Sequence, residues 1–248
     1  MTYLLIIIVI VSYILLQTIE AISFSSRVAG KVASRHALGT TLQHSIFTIS
    51  RLFLVFLLPT LAFLVENRIS IELYITIVII SLLATSLVSY LVLFNLNYFQ
   101  KLFQKIFNLY EEGHLPTAIT RVFFNKHKIN PNSLVSIPRF SMVYIVQKKT
   151  MVSFAAYTFL STGYFVTFYL ALIYNDYRLT FSQFSPVFHG VGAMILAFYI
   201  DPMLSRSIDK ASDDESWLTN VYSIFLGRVL SYFISSIAFI LIFIIWAR

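Results

Sequence analysis

The sequence predicts an all-α polytopic membrane protein of about six transmembrane helices, with a basic amphipathic cytoplasmic loop. Three observations carry this. Of 248 residues, 58% are hydrophobic and only 12% charged, with a mean hydropathy of +0.80; soluble domains run near ~25% charge. Six stretches reach the roughly 20 residues needed to cross a hydrocarbon core, near 3–24, 37–64, 71–97, 151–174, 183–204 and 217–246. Finally, Lys and Arg sort by loop. Arg27, Lys31 and Arg35 follow the first span, eight basic residues lie between the third and fourth, and Arg206 and Lys210 follow the fifth, against Arg68, Arg178 and Arg248 on the other side. The positive-inside rule then places the 98–150 loop in the cytoplasm and both termini outside.

The first span is apolar all round until Gln17, so its outer part is expected to meet lipid and its inner part to carry chemistry. It lacks a basic n-region and its apolar run exceeds the usual signal-peptide length, so it reads as a retained span. Glu20, Arg27 and Arg35 fall near one helical face, with Lys31 one turn beyond Arg27. Lys31 and Arg35 also read as a basic flank. The second span places Thr40, Thr41, His44, Thr48 and Arg51 at steps of three and four, a polar stripe able to face the first. Gln43 lies beside it, and Pro59 is expected to kink or end the helix.

In the third span Ser81, Thr85 and Ser89 recur every four residues, a pattern of close helix packing. The loop after it sets Leu102, Phe103, Ile106 and Leu109 at helical intervals beside Lys101 and Lys105, which predicts a basic amphipathic helix on the inner leaflet. His114 and His127 are too isolated to suggest a metal site. In the fourth span Tyr157, Ser161 and Tyr164 read as packing or interfacial hydroxyls. The fifth puts Ser185, His189 and Gly192 on one face, and Asp201-Pro202 is expected to stop it, because proline disfavours helical geometry at the preceding residue. The sixth carries Gly227-Arg228, two turns in and within snorkelling reach of the interface.

No Cys is present, which excludes disulfides, thiol catalysis and Cys-ligated metal. There is no HExxH, GxSxG, Walker A or GxGxxG pattern, and the carboxylates are not paired for acid–base work, so no enzyme and no cofactor is expected. The net charge of +7 points to anionic phospholipid rather than nucleic acid, since no soluble domain is there to present a nucleic-acid surface. What remains is ionisable residues inside apolar segments, each costing about 2.5–3.5 kcal/mol on insertion scales, and such residues usually face a bundle interior and mark a transport path. Arg27, Arg51 and Arg228 are candidates for a substrate diphosphate, because guanidinium donates bidentate, charge-assisted hydrogen bonds and stays protonated. Glu20 and Asp201 are candidates for ion pairing or coupling, and Gln43, His44 and His189 for a polar lining. Residues alone leave three readings open: a flippase for a polyprenyl-pyrophosphate sugar, an ion-coupled transporter of a small anion, and a scaffold with structural ion pairs. Six helices make a narrow bundle, so a homodimer is also expected.

The stretch IEAISFSSRVAG (19–30), the Ser50-Arg51 pair, the run RLTFSQFSPVFHGVGAMILAFYIDPMLS (178–205) and Gly227-Arg228 resemble the Amj family of lipid II flippases, alternates to MurJ. The resemblance implies translocation of undecaprenyl-pyrophosphate-linked peptidoglycan precursor from the inner to the outer leaflet of a bacterial plasma membrane.

Overall fold

The computed structural model describes residues 2–110, 114–124, 134–209 and 214–246; His127 and Lys210 lie outside them. Six helical spans are long and apolar enough to cross a membrane: Thr2–Val32, His36–Glu66, Ile71–Phe94, Gln147–Ile173, Asn175–Ser207 and Trp217–Trp246. The protein is thus an all-α, multi-pass membrane protein. Span one is α1 (Thr2–Val32). Span two is broken into α2 (His36–Ser50), a 3-10 turn at Arg51–Phe53 and α3 (Leu54–Glu66). Span three is α4 (Ile71–Phe94). Two loop helices follow, α5 (Leu96–Tyr110) and α6 (Leu115–Phe124). Span four is α7 (Gln147–Ile173). Span five is assembled from α8 (Arg178–Ser182), α9 (Ser185–Ile195), a π turn at Leu196–Ile200 and α10 (Asp201–Asp209). Span six is α11 (Asp214–Trp246).

Five elements make the central packing. α11 lies along α7 and α4, and α1 along α2 and α4, whereas α9 leans on α7 alone to any extent. The α1–α2 hairpin is close because two glycines meet: a Cβ on Gly39 would stand 2.7 Å from the Ser26 carbonyl oxygen and 2.9 Å from the Gly30 Cα. Ser26 Oγ donates to the Gly39 carbonyl at 2.9 Å across this crossing. Backbones that approach so closely gain dispersion contacts that lipid cannot supply. At Gly227 a Cβ would lie 2.5 Å from the Thr150 carbonyl oxygen, so glycine there seats α11 against α7 one residue before Arg228. Ser81, Thr85 and Ser89 are all buried, in accord with their reading as a packing stripe.

The core is two apolar clusters stacked along the helices. One gathers the N-terminal half of α1, α3, the start of α4 and the C-terminal half of α7, with Tyr13, Leu61, Tyr74 and Phe165 at its centre. The other, towards α5, gathers Phe24, Val28, Leu160, Leu204, Trp217 and Phe225. The first is dry and continuous across the bundle, and closes that end. Polar groups concentrate at the seam.

Several expectations are corrected. The third span ends at Phe94 rather than 97: Asn95 turns its amide back to the Leu91 carbonyl at 2.9 Å and α5 begins at once. The apolar face of α5 is covered by protein. Phe103, Ile106 and Leu109 are buried in a cluster with Ala29 and Leu42, and Gln100 and Gln104 hold the 134–146 segment through the Val135 carbonyl at 2.8 and 3.0 Å. Pro59 sits inside α3, and the irregular turn falls earlier, at Arg51. Asp201-Pro202 does not stop the fifth span. The π turn widens the helix just before Pro202, which has no N–H for the Phe198 carbonyl, and helix then resumes. Arg228 does not snorkel: it is 3% exposed and its donors are taken up inside the bundle.

Candidate functional site

Arg51 stands at the midpoint of the second span, where the 3-10 turn tightens the backbone. Its guanidinium lies 3.4 Å from Glu20 Oε1 and donates to the Tyr164 hydroxyl at 3.4 Å, with the Phe47 ring 4.2 Å beneath its Cζ. Tyr164 OH is in turn 3.1 Å from His189 Nδ1. Glu20, on α1, uses its other oxygen for Arg228 Nη2 at 3.3 Å. One carboxylate is therefore shared by two guanidiniums.

Arg228 is gripped more firmly. Nε donates to the Tyr232 hydroxyl at 2.8 Å, and Nη2 donates to the backbone and side-chain oxygens of Gln17 at 2.9 and 3.1 Å. Tyr232 itself donates to Gln17 Oε1 at 2.7 Å, and the Tyr157 ring lies 4.7 Å from the guanidinium carbon. Groups on three helices, α1, α7 and α11, fix this cation in one position, whereas Arg51 keeps 24% of its side chain exposed. Further towards α5, Arg27 pairs with Asp201 at 2.7 Å, which ties α1 to the start of α10.

Between these groups lies a cavity of about 200 Å³. Glu20, Arg51 and Arg228 line its deep end, Gln43 and His44 of α2 one side, and His189 and Asp201 of span five the other. Seven of the eight predicted site residues thus share one space. Arg27 is the exception, standing behind Asp201 with its Nε buried and unpartnered among the described residues. The Gln43 side-chain oxygen is also buried without a partner. Of the two predicted stripes, only parts face each other. Arg35 turns away and donates to the Phe107 carbonyl at 2.9 Å, and Thr40 and Thr48 return their hydroxyls to their own helix.

Four residues of the network were not predicted as site residues: Gln17, Tyr157, Tyr164 and Tyr232. Spacing carries their signal. Gln17 precedes Glu20 by three residues, Tyr232 follows Arg228 by four, and Tyr157 and Tyr164 are two turns apart, so each pair shares a helical face.

A model of the family described as Amj, Alternate to MurJ, matches residues 13–247. The chain belongs to the Amj family. Every residue of the network and cavity falls within the matched span, from Gln17 to Tyr232. No curated protein and no solved structure matches the chain. Among the described residues the cavity is lined by two guanidiniums, Arg51 and Arg228, and two carboxylates, Glu20 and Asp201, with the Arg27 guanidinium behind Asp201. Guanidiniums that line a bundle interior suit an anion, to which they donate charge-assisted hydrogen bonds.

Proposed function

We propose that the chain is a lipid II flippase of the bacterial plasma membrane, a transporter rather than an enzyme, that carries undecaprenyl-pyrophosphate-linked peptidoglycan precursor from the inner to the outer leaflet. The observation that carries this reading is the cavity lined by Arg51 and Arg228 with Glu20 shared between them, and with the Arg27–Asp201 pair at its edge, set at mid-span in a member of the Amj family. A diphosphate offers oxygens to several guanidiniums at once, in place of the carboxylates that hold them in the empty site.

The proposed seat is Arg27, Arg51 and Arg228, with Glu20 and Asp201 holding the arginines while the site is empty. Gln43, His44 and His189 form the polar lining. The lysine and arginine sorting puts the α5 end in the cytoplasm and both termini outside, so the cavity lies from mid-span towards the leaflet where the precursor is made. At about 30 Å³ per water, 200 Å³ holds about seven waters. This suits a diphosphate and excludes a sugar-peptide, so translocation requires the bundle to widen or a second copy to complete the passage; a homodimer is the proposed assembly. No nucleotide motif is present, so any energy input comes from a gradient, the membrane potential or consumption of the product outside.

The test is depletion of the resident lipid II flippase in a bacterium that carries this chain, scoring growth and surface-exposed lipid II. Arg51→Lys keeps the charge and loses the bidentate fork. It is expected to stop rescue while expression and thermal stability stay near parent. Rescue by Arg51→Ala together with Glu20→Ala, as complete as that by the parent, removes the assignment, since a merely structural pair is relieved when both partners go.

A further inference from the structure

The cavity wall is incomplete. α2 packs on α1, and α9 on α7, but among the described residues α2 and the α9–π segment have no extended packing against each other. Both nevertheless line the same cavity, α2 through Gln43, His44 and Phe47, and span five through Ala193, Leu196 and Ala197. His44, Ala193 and Ala197 line it and are exposed, so the space opens at their position. Gly190, one turn from Ala193 on the same face, has no atom within 4 Å of the place a Cβ would take. These are the two least buried spans, and outward of the rim they present Ile49, Met194 and Phe198. A gap between two membrane-spanning helices opens on hydrocarbon, not water.

We propose that this gap is a lateral portal that holds the single polyisoprenoid chain of the substrate while its diphosphate occupies the arginine cavity. The proposal rests on the flippase reading for the head of the molecule and adds where its tail lies. The occupant follows from continuity of two environments. At the inner end stand Arg51 and Arg228, which suit an anion; at the outer end stand methyl, methylene and aromatic groups, which suit a chain. A free phosphate or sugar phosphate gains nothing from the portal. A diacyl lipid would have to place two chains in a gap walled by small side chains on one helix only, whereas a polyprenyl diphosphate places one.

The test uses the purified full chain in nanodiscs of zwitterionic lipid, with three probes: undecaprenyl diphosphate, inorganic pyrophosphate and dioleoyl phosphatidic acid. Ala197→Phe fills the rim without touching the arginine network. It is expected to weaken undecaprenyl diphosphate by about tenfold or more and to leave pyrophosphate within about twofold. Unchanged undecaprenyl diphosphate affinity overturns the portal, and so does phosphatidic acid binding as tightly as undecaprenyl diphosphate in the parent.

A second measurement is independent of the diphosphate. Phe24 is buried on α1 and lines the cavity, so Phe24→Trp in a background of Trp217→Phe and Trp246→Phe meets lipid chains only through the gap. Strong quenching by brominated-chain lipids, relieved by Ala197→Phe, supports the portal. Absence of quenching, or quenching that Ala197→Phe leaves intact, overturns it. If the parent binds none of the three probes yet quenching behaves as expected, the flippase reading fails and the lateral opening stands.

Discussion

Arg51 and Arg228 share one carboxylate, yet the structure assigns them unequal costs of removal. Consider Arg228→Met and Arg51→Met in parallel. Loss of Arg228 strips a 3% exposed cation from Gln17, Tyr232 and Glu20, leaving an amide oxygen, a phenol and a carboxylate oxygen short of a donor in a sealed interior. Breaking a buried pair from one side costs about 3–5 kcal/mol. Arg51 makes two polar contacts, both of 3.4 Å, and lies over the Phe47 ring from a position open to the cavity, and Tyr164 retains His189 when it goes. That resembles an exposed pair, worth about 0.2–1 kcal/mol. The difference of about 2–4 kcal/mol corresponds to roughly 30- to 1,000-fold in the unfolding equilibrium. Steric-trap or denaturant unfolding in bicelles reads it directly. Transport should rank the other way once stability is allowed for, with Arg51→Met folded and inactive. Equal destabilisation by the two substitutions, or a larger loss at Arg51, refutes the division into a fixed cation and a movable one.

Three other outcomes follow from the geometry. Gly39→Val places side-chain atoms where Ser26 and Gly30 stand within 2.9 Å, so α1 and α2 must separate; thermal stability should fall by an amount equivalent to about 1–3 kcal/mol, whereas Gly190→Val, facing open space, should leave it unchanged. Arg27→Ala and Asp201→Ala should each be destabilising, and the double variant should recover part of the loss, because the 2.7 Å pair is their shared interaction; a double-mutant cycle with no coupling excludes it. In intact cells an impermeant thiol reagent should label Tyr177→Cys and spare Val143→Cys, both exposed positions in a chain without cysteine; the reverse pattern inverts the topology.

The sequence made the bundle and most of the cavity legible for one reason. A charge in an apolar run is conspicuous because insertion alone gives it no reason to be there, and this singled out Glu20, Arg51 and Arg228. The aromatic partners were hidden by their own abundance. With 15 Tyr and 24 Phe in the chain, Tyr157, Tyr164 and Tyr232 look like ordinary packing until helix rotation is known. The same ignorance of rotation left open whether Arg27 enters the cavity; it stands behind Asp201, outside the lining, whereas Arg228 is part of it. Proline was read too literally at both Pro59 and Pro202. The chain absorbs Pro202 with a π turn, and the irregular turn of span two falls at Arg51 rather than at Pro59.

The distances also impose an order on how an anion would be received. An incoming oxygen competes first against the longest bonds, and those belong to Arg51, held at 3.4 Å by Glu20 and by Tyr164. Once Arg51 turns to the ligand, Glu20 keeps Arg228 at 3.3 Å, so the carboxylate is not stranded and the interior does not suffer an unpaired charge. The Arg27–Asp201 bond at 2.7 Å is shorter and ties α1 to span five just beyond the π turn, so it is the one whose loss frees α10. A ligand that bound only Arg51 would leave that clasp closed and shift no population; one long enough to reach from Arg51 to Arg27 would have a differential affinity for the open state, which is the condition for coupling arrival to movement. A monophosphate and a diphosphate on the same chain should therefore both bind, and only the diphosphate should be carried across; equal transport of the two would remove the clasp from the mechanism.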